Sequence, residues 1–358
     1  TNNMKQAVLF FRLKDSFVDL KKVNDTIDLL CGSHFSPTQI TFLPCEDRKE
    51  FYDVFTALSE TTDNILVFEN ENNDFELSEI VQGYDRLNYI YEKGKKSVLF
   101  VADNQKANSV VEDLWIPHLQ KKYDTSYGKV TFKVFGLKRK EILAATGRIE
   151  KETGVGFVVY GEGLDYKVQL VYDNRSTKMD YDRAQKDFIT GLKDYIYAEY
   201  DVELNERLVD LLKLRRCVLS VAESFTGGRV AASVVAVPGA SEVFYDGIVS
   251  YDQDAKNRLL GVDTSTLAKY KPVSAQVACE MAQGLYASGK ANLVLSTTGI
   301  AGPKSDDSGF PVGLCFIGVG FNGKIGAYRF EFKGSRSEII ENGTKMALFL
   351  AIMTIKEL

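Results

Sequence analysis

The hydrophobic pattern of the first 136 residues switches repeatedly between a two-residue period and a helical period. Short runs rich in β-branched and aromatic residues predict strands, and the longer amphipathic segments between them predict helices. The predicted strands are QAVLFF, ITFL, NILVF, SVLFVAD and VTFKVF, and the predicted helices lie near residues 18–30, 48–59 and 77–91, with another before VTFKVF. This alternation indicates an α/β fold, and we assign residues 1–136 to a doubly wound α/β domain.

The turns after the first and third of these strands bear on ligand binding. Doubly wound domains bind ligands at the carboxyl ends of their strands, where glycine-rich turns let the backbone approach a phosphate. Here QAVLFF is followed by RLKDSF and NILVF by ENENNDF, and neither turn contains glycine. The sequence therefore predicts no phosphate-binding turn at either place.

Residues 137–200 follow another order. A helix (KRKEILAATGRIEKE) precedes two strands (VGFVVYGE and YKVQLVYD) and a second helix (DRAQKDFITGLKDYIYAEY), which predicts a small α-β-β-α linker module. A solvated charged face explains its lysines and its DNRSTK turn better than a partner-binding surface does. Residues 201–358 begin with the amphipathic helix ELNERLVDLLKLRR and continue into the apolar strand VLSVA, and we predict a second α/β domain there.

The turn ESFTGG lies between that strand and the predicted helix GRVAASVVA. Backbone N–H groups at a helix N-terminus stabilise a phosphate or the oxyanion of a tetrahedral intermediate, so Thr226, Gly227 and Gly228 are candidate binding residues and Ser224 is a candidate nucleophile. Alternatively, Ser224 or Thr226 only caps the helix and the glycines only permit tight packing.

A second segment, SYDQDAKNRLL, places Tyr251 and Lys256 on either side of a strand-to-helix transition. Lysine acts as a base when burial or a neighbouring cation lowers its pKa enough to leave the amine neutral. A Ser–Lys pair would activate a hydroxyl without histidine, with Tyr251 relaying or orienting the proton. A solvent-facing lysine on an ordinary helix is the alternative.

The glycine-rich loop TTGIAGPKSDDSGFPVG follows another apolar strand. Thr298, Gly299, Ala301 and Gly302 are candidates to line a ligand pocket, and a plain connection between two core strands is the alternative. The acidic pair at 306–307 resembles a solvated loop tip more than a metal site. In FKGSRSE, Arg336 begins the last helix, where a guanidinium could hold a phosphate or form a surface salt bridge.

Composition narrows the function classes. The chain has 358 residues, 45% of them hydrophobic, and a formal net charge of −5, which argues against a broad electrostatic grip on nucleic acid or on an anionic membrane. No run approaches the ~20 apolar residues of a membrane helix, and the start of the sequence has no basic region followed by a long apolar run. The two histidines, His34 and His118, are too far apart to suggest a zinc site or a histidine-based triad.

The five cysteines are scattered without a CxxC spacing: Cys31, Cys45, Cys217, Cys279 and Cys315. This distribution is typical of free thiols in a reducing compartment. We therefore expect a cytoplasmic protein.

Several motifs occur in one order across about 110 residues: AESFTGG, VPGASEVFYDGIVSYDQDAKNRLLGV, TTGIAGP, FPVG and FKGSR. Together they resemble the CinA C-terminal domain family of bacterial competence- and damage-inducible proteins. The resemblance implies hydrolysis of the carboxamide of nicotinamide mononucleotide to nicotinate mononucleotide and ammonia, a step of pyridine nucleotide salvage and NAD recycling. It puts the family's nucleophilic serine on Ser224, its lysine on Lys256 and its tyrosine on Tyr251, and it implies no metal or cofactor.

Two positions depart from the family pattern. The family's usual ESCTGG is ESFTGG here, and Phe225 in place of a small thiol predicts a changed pocket shape. The arginine usually found one turn after Arg336 is absent, with Ile340 near that place, which predicts weaker phosphate binding.

The resemblance extends to the linker module, from about residue 134. The first domain resembles a degenerate copy of the molybdopterin-binding fold of full-length CinA proteins, which carries ADP-ribose pyrophosphatase activity through glycine-rich motifs missing here. Two alternatives stay open beside the amidohydrolase: an enzyme that retains this pyrophosphatase activity as well, and a non-catalytic nucleotide-binding scaffold related to competence. We expect a small nucleotide as ligand, neither nucleic acid nor membrane as partner, and a homo-oligomer, with a dimer as the first expectation.

Overall fold

The structure is a computed structural model, and it describes residues 4–12, 20–44, 47–69, 80–87, 89–102, 104, 106–125, 127–174, 176–305 and 308–357. The chain divides into two compact units. The N-terminal unit comprises Thr1–Val130, Leu143–Tyr160 and Val168–Thr190, and the C-terminal unit comprises Thr131–Ile142, Gly161–Lys167 and Gly191–Leu358.

Four strands of the first sheet run parallel to one another. Three of them are buried on both faces, which explains why the sequences of those three are nearly continuous apolar runs. Its order is β2-β1-β3-β6-β5-β4, with β1 (Gln6–Arg12), β2 (Gln39–Pro44), β3 (Asn64–Glu69), β4 (Asp85–Leu87), β5 (Ile90–Lys93) and β6 (Lys96–Ala102). The helices of this region are α1 (Leu20–Gly32), α2 (Arg48–Thr61), α3 (Ala107–Val110) and α4 (Ile116–Lys122), with a π-helical turn at Val111–Trp115 joining the last two. The α/β class is thus confirmed. Apart from Arg12 and Glu69, the turns RLKDSF and ENENNDF fall outside the described residues.

The predicted helix near residues 77–91 is wrong. Residues 85–87 and 90–93 are strands β4 and β5, and β5 pairs antiparallel with β6 through a turn in which Gly94 has a φ of 61°. Glycine adopts this left-handed conformation without steric cost, so Gly94 closes a hairpin. Ile90 and Tyr91 favour strand conformation, and β5 pairs with β6 on one side and with the edge strand β4 on the other.

The linker module has the predicted order of elements: α5 (Arg139–Thr153), β8 (Gly156–Glu162), β9 (Asp165–Asp173) and α6 (Lys178–Leu192). Its two strands belong to a four-stranded sheet of order β10-β7-β9-β8, together with β7 (Tyr127–Phe135) and β10 (Ile196–Ala198). The segment VTFKVF is therefore a strand, as predicted, but it does not complete the first sheet. The alternation of apolar and polar residues in this segment predicts a strand but does not determine which strands it pairs with.

The C-terminal sheet has the order β12-β11-β13-β14-β15. Its strands are β11 (Leu219–Glu223), β12 (Phe244–Val249), β13 (Leu293–Gly299), β14 (Leu314–Phe321) and β15 (Lys324–Glu331), and the first three run parallel to one another. The helices are α7 (Leu204–Arg215), α8 (Arg229–Val235), α9 (Gln253–Leu260), α10 (Thr264–Tyr270), α11 (Ala275–Leu285) and α12 (Arg336–Ile355), with 3₁₀ turns at Ala240–Glu242 and Tyr286–Ser288.

Alternate residues of these strands face two separate cores, as the pleat requires. Val221 and Leu295 pack with α7, α8 and α12 on one side of the sheet. Ala222 and Val294 pack with residues of α9, α10 and α11 on the other. Helices thus cover both faces, and the loops at the ends of the strands are the places left for a site.

Two predictions from composition can be compared with the structure. The four described cysteines, Cys31, Cys217, Cys279 and Cys315, are free thiols, as predicted, and Cys45 lies outside the described residues. Among the described residues no helix combines the length and the apolar character needed to cross a membrane.

Candidate active site

Three loops leave the C-terminal sheet at the carboxyl ends of its parallel strands. Glu223 at the end of β11 is in register with Val249 of β12 and with Thr297 of β13. The segments that follow these strands therefore start side by side at one edge of the sheet, where doubly wound folds place their ligand sites. They carry Ser224, Tyr251 and the glycine-rich loop.

The central contact joins Ser224 to Lys256 of α9. The Lys256 Nζ lies 3.0 Å from the Ser224 Oγ, 2.8 Å from the carbonyl oxygen of Ser250 and 3.1 Å from that of Tyr251. Lys256 is 1% exposed and Ser224 is 7% exposed. The structure thus brings the two predicted residues into direct hydrogen-bond contact.

Burial lowers the pKa of Lys256 from its ordinary 10.5 to about 8, with Asp252 opposing the shift. A neutral amine has two hydrogens and one lone pair. The carbonyl groups of Ser250 and Tyr251 can only accept, so they take the two hydrogens and leave the lone pair for the third neighbour, Ser224 Oγ. This geometry is what a general base for a serine hydroxyl requires.

The N-terminus of α8 is occupied by a carboxylate of the chain itself. Glu223, 1% exposed, accepts hydrogen bonds at Oε2 from Thr226 Oγ1 (2.6 Å), the Gly228 N–H (3.0 Å) and the Val230 N–H (3.1 Å), and at Oε1 from the Ala231 N–H (2.8 Å). These donors are satisfied internally. The amides of α8 therefore do not form the anion site that the sequence predicts there.

Thr226, Gly227 and Gly228 shape the turn without lining the cavity beside Ser224. Gly227 and Gly228 have φ values of 61° and 94°, which suit glycine, and they let the chain reverse from β11 into α8. The Gly227 N–H donates to the Ser224 carbonyl at 3.1 Å. The N–H groups of Phe225 and Thr226 make no hydrogen bond to another described residue, so they are the donors of this turn left for an oxyanion.

Tyr251 contributes to the pair through its backbone. Its carbonyl accepts from Lys256, whereas its hydroxyl accepts from Arg336 Nη2 at 3.2 Å. The side chain is 63% exposed. The tyrosine hydroxyl thus lies against Arg336, and among the described residues neither Ser224 nor Lys256 bonds to it.

A cavity of about 360 Å³ opens over this pair. Its inner end is formed by buried residues that include Ser224, Lys256 and Thr298, and its mouth by exposed residues that include Tyr251 and Arg336. Gly299, Ile300, Ala301 and Gly302 line it as well. The predicted residues Ser224, Lys256, Tyr251, Thr298, Gly299 and Arg336 therefore share one cavity.

The first part of the glycine-rich loop is held in place by two side-chain hydrogen bonds. Thr298 Oγ1 donates to the Pro272 carbonyl at 2.7 Å, and an Arg336 guanidinium nitrogen donates to the Gly302 carbonyl. Gly299 lies so close to Cys315 of β14 that a Cβ would overlap it. The loop is therefore a wall of the cavity, while the acidic pair at 306–307 lies outside the described residues.

Lys304 is a cavity residue that the sequence analysis did not single out. It is exposed at the mouth, and no ion pair joins it to another described residue. With Arg336 it gives the mouth two cations. Its place directly after the glycine-rich TGIAGP segment was the available signal.

Phe225 lines the cavity beside Ser224, and its ring is packed into the core. Its ring is 3% exposed and lies against Gly299 and Gly343, two positions at which a Cβ would crowd the ring. Ile340 also packs against this core. The glycines on β13 and α12 thus make room for the bulky residue next to Ser224.

Residues 201–355 match the family model of the CinA C-terminal domain. This part of the chain belongs to the CinA family. The match contains every residue of the cavity. The expected family membership is therefore confirmed.

Two curated relatives are CinA-like proteins from Kosmotoga olearia, 32% identical over 267 residues, and Thermotoga neapolitana, 33% identical over 259 residues. These matches cover 72% and 71% of this chain and 64% and 62% of those proteins. The chain thus spans less than two thirds of their length. Among solved structures, a CinA superfamily protein from Klebsiella pneumoniae is 28% identical, with coverage of 43% of this chain and 97% of that chain and a TM-score of 0.42.

Proposed function

We propose that the C-terminal unit hydrolyses the carboxamide of nicotinamide mononucleotide, giving nicotinate mononucleotide and ammonia. The observation that carries the proposal is the buried hydrogen bond between Ser224 and Lys256 in a cavity at the carboxyl ends of the parallel strands, where two backbone carbonyls can take the hydrogens of the neutral amine. An amide substrate suits this pair, because the attacking group is a hydroxyl and the base is also able to protonate a leaving amine.

In the first half-reaction, the neutral Lys256 amine takes the Ser224 proton while Oγ bonds to the carboxamide carbon. The N–H groups of Phe225 and Thr226 stabilise the oxyanion that forms. The C–N bond then breaks, the proton passes from Lys256 to the leaving nitrogen, and ammonia departs. In the second half-reaction, Lys256 takes a proton from water as the water oxygen bonds to the acyl carbon. The bond from that carbon to Oγ then breaks, Lys256 returns the proton to Ser224 Oγ, and nicotinate mononucleotide leaves.

The charge distribution along the cavity favours a phosphorylated substrate. Ser224 and Lys256 are buried at its inner end. Three exposed charged residues line it further out, the cations Arg336 and Lys304 and the carboxylate Asp252, so positive charge is in excess there. A nicotinamide ring at the inner end would direct the 5′-phosphate of its nucleotide towards these cations, and arginine binds phosphate with paired N–H groups.

The test is the release of ammonia from nicotinamide mononucleotide, nicotinamide riboside and nicotinamide, each at equal concentration. We expect turnover of the nucleotide, weaker turnover of the riboside and no turnover by Ser224→Ala with any substrate. A wild-type protein that releases no ammonia from the nucleotide, or a Ser224→Ala variant that turns over normally, would refute the proposal.

A further inference from the structure

Glu223 is connected to both members of the Ser–Lys pair. Its carboxylate binds the turn that follows Ser224, as described above, and its backbone carbonyl accepts the Ser250 N–H at 2.8 Å. The Ser250 carbonyl in turn accepts from Lys256 Nζ. One residue thus joins the nucleophile's turn to the segment that orients the base.

A chain of hydroxyl groups extends this connection to β13. The Thr226 hydroxyl has one hydrogen. It donates that hydrogen to Glu223, so the 2.7 Å contact between Thr226 Oγ1 and Thr297 Oγ1 must be donated by Thr297. The Thr297 carbonyl accepts the Ser224 N–H at 3.0 Å. The backbone of Ser224 is therefore fixed between Thr297 and the turn that Glu223 holds.

A buried carboxylate is costly unless hydrogen bonds satisfy it. Here the four donors already described satisfy it, all from the segment 226–231, and no ion pair joins Glu223 to another described residue. An amide in the same place would turn an NH₂ group towards N–H donors. Only a carboxylate accepts from all of them.

We infer that Glu223 is a positioning residue for this site: its carboxylate fixes the turn 224–228, holding Ser224 Oγ against Lys256 and keeping the Phe225 and Thr226 N–H groups available to the oxyanion. The inference rests on the proposed amide hydrolysis for its choice of substrate. It assigns a role in catalysis to a residue that touches no part of the substrate cavity.

The experiment compares Glu223→Gln, Thr226→Val and Thr226→Ser with the wild type. With nicotinamide mononucleotide we expect kcat to fall about 10²-fold in Glu223→Gln and about tenfold in Thr226→Val, with KM changed less than about threefold. Thr226→Ser keeps the hydroxyl, so its kcat should recover most of the loss seen in Thr226→Val. The pH profile should keep its midpoint in every variant, because Lys256 and its neighbours are unchanged.

A second measurement does not depend on the amide substrate. A fluorophosphonate reacts with an activated serine, forming a bond from Ser224 Oγ to phosphorus and releasing fluoride. The labelling rates should follow the same order, with Ser224→Ala as the unlabelled control and with circular dichroism and thermal unfolding reporting the folded fraction.

Labelling of the wild type without ammonia release would refute the proposed substrate. The labelling rate of Glu223→Gln relative to wild type would then still test the role of Glu223. If the wild type releases ammonia but is not labelled, the kcat values of the variants test the role of Glu223. A folded Glu223→Gln protein with wild-type rates, or a Thr226→Ser protein as slow as Thr226→Val, would overturn the inference. A wild type that shows neither reaction would overturn both proposals.

Discussion

The two units each contain a buried serine bonded to a lysine. In the N-terminal unit, Lys122 Nζ lies 2.9 Å from Ser97 Oγ, close to the 3.0 Å that separates Lys256 from Ser224. Burial lowers the pKa of both lysines to about 8. A Ser–Lys hydrogen bond with a lowered lysine pKa is therefore not enough to identify a catalytic pair.

The acceptors around each lysine differ. Lys122 Nζ also contacts Asn64 Oδ1 at 2.7 Å and the carbonyl oxygens of Lys95 at 2.6 Å and Asp63 at 3.5 Å. These oxygens can only accept, so they favour the charged form with three hydrogens. Lys256 has only two such oxygens, and its third neighbour is a hydroxyl that can donate to it. The acceptor set thus favours a cation in one unit and a base in the other.

Position in the fold differs as well. Ser97 is the second residue of β6, at the amino end of the strand, and is 1% exposed beside His118, whose Nε2 lies 3.0 Å from its Oγ. Ser224 follows the carboxyl end of β11 and lines a cavity. Parallel sheets place ligands at the carboxyl ends of their strands, so only the second pair lies where a substrate is expected.

The largest effect on activity is expected from Lys256→Met, with Lys122→Met as the matched control in the other unit. Lys256→Met removes the base and should lower ammonia release from nicotinamide mononucleotide at least about 10³-fold. Lys122→Met should leave kcat unchanged and lower the free energy of unfolding by about 1–3 kcal/mol, because buried acceptors lose their donor. Steady-state assays and urea unfolding of both variants measure these outcomes.

Equal loss of activity in folded Lys256→Met and Lys122→Met proteins would contradict the distinction drawn between the two lysines. So would a Lys256→Met protein that retains a tenth or so of wild-type turnover, since removal of a required base costs far more.

The parts of the fold and of the site that the sequence could predict are those that depend on local features. The apolar strands and the ordered motifs are local features, and they identified β11, β13, Ser224 and Lys256. The place of the Tyr251 hydroxyl and the contribution of Lys304 depend on residues that are distant in sequence and meet only through tertiary packing. The Glu223 carboxylate binds the nearby segment 226–231, but its connection to Lys256 runs through Ser250, which the hydrophobic pattern does not reveal. The helix wrongly predicted near residues 77–91 has the same cause, because pairing with β6 decided its conformation.

The cations at the cavity mouth provide the next test of the active pair. Arg336→Ala and Lys304→Ala should each raise KM for nicotinamide mononucleotide about tenfold, because each removes a positive charge from the region expected to hold the phosphate. Turnover of nicotinamide riboside, which lacks the phosphate, should change less than about twofold in Lys304→Ala and somewhat more in Arg336→Ala, because Arg336 also holds the Gly302 carbonyl in the cavity wall. Initial rates with both substrates measure the ratio, and equal losses on both would contradict a phosphate site here.

The pH dependence should identify which lysine governs activity. With a pKa of about 8, Lys256 is neutral in roughly a tenth of molecules at pH 7 and roughly nine tenths at pH 9, so kcat/KM should rise about tenfold over this range. The sign follows from the neutral amine being the base. Lys122→Met should show the same profile. A shifted midpoint in this variant would mean that Lys122 of the N-terminal unit, and not Lys256, governs the pH dependence.

The smallest effect is expected at Tyr251. Its hydroxyl accepts from Arg336 and its backbone carbonyl holds Lys256, so Tyr251→Phe removes only the first of these contacts. We expect kcat within about threefold of wild type and a modest rise in KM for the nucleotide, since Arg336 loses one anchor. Steady-state kinetics of Tyr251→Phe beside Tyr251→Ala measure both constants. A kcat loss near that of Lys256→Met would instead make the hydroxyl the proton relay that the sequence suggested, reached through a side-chain rotation of this exposed residue.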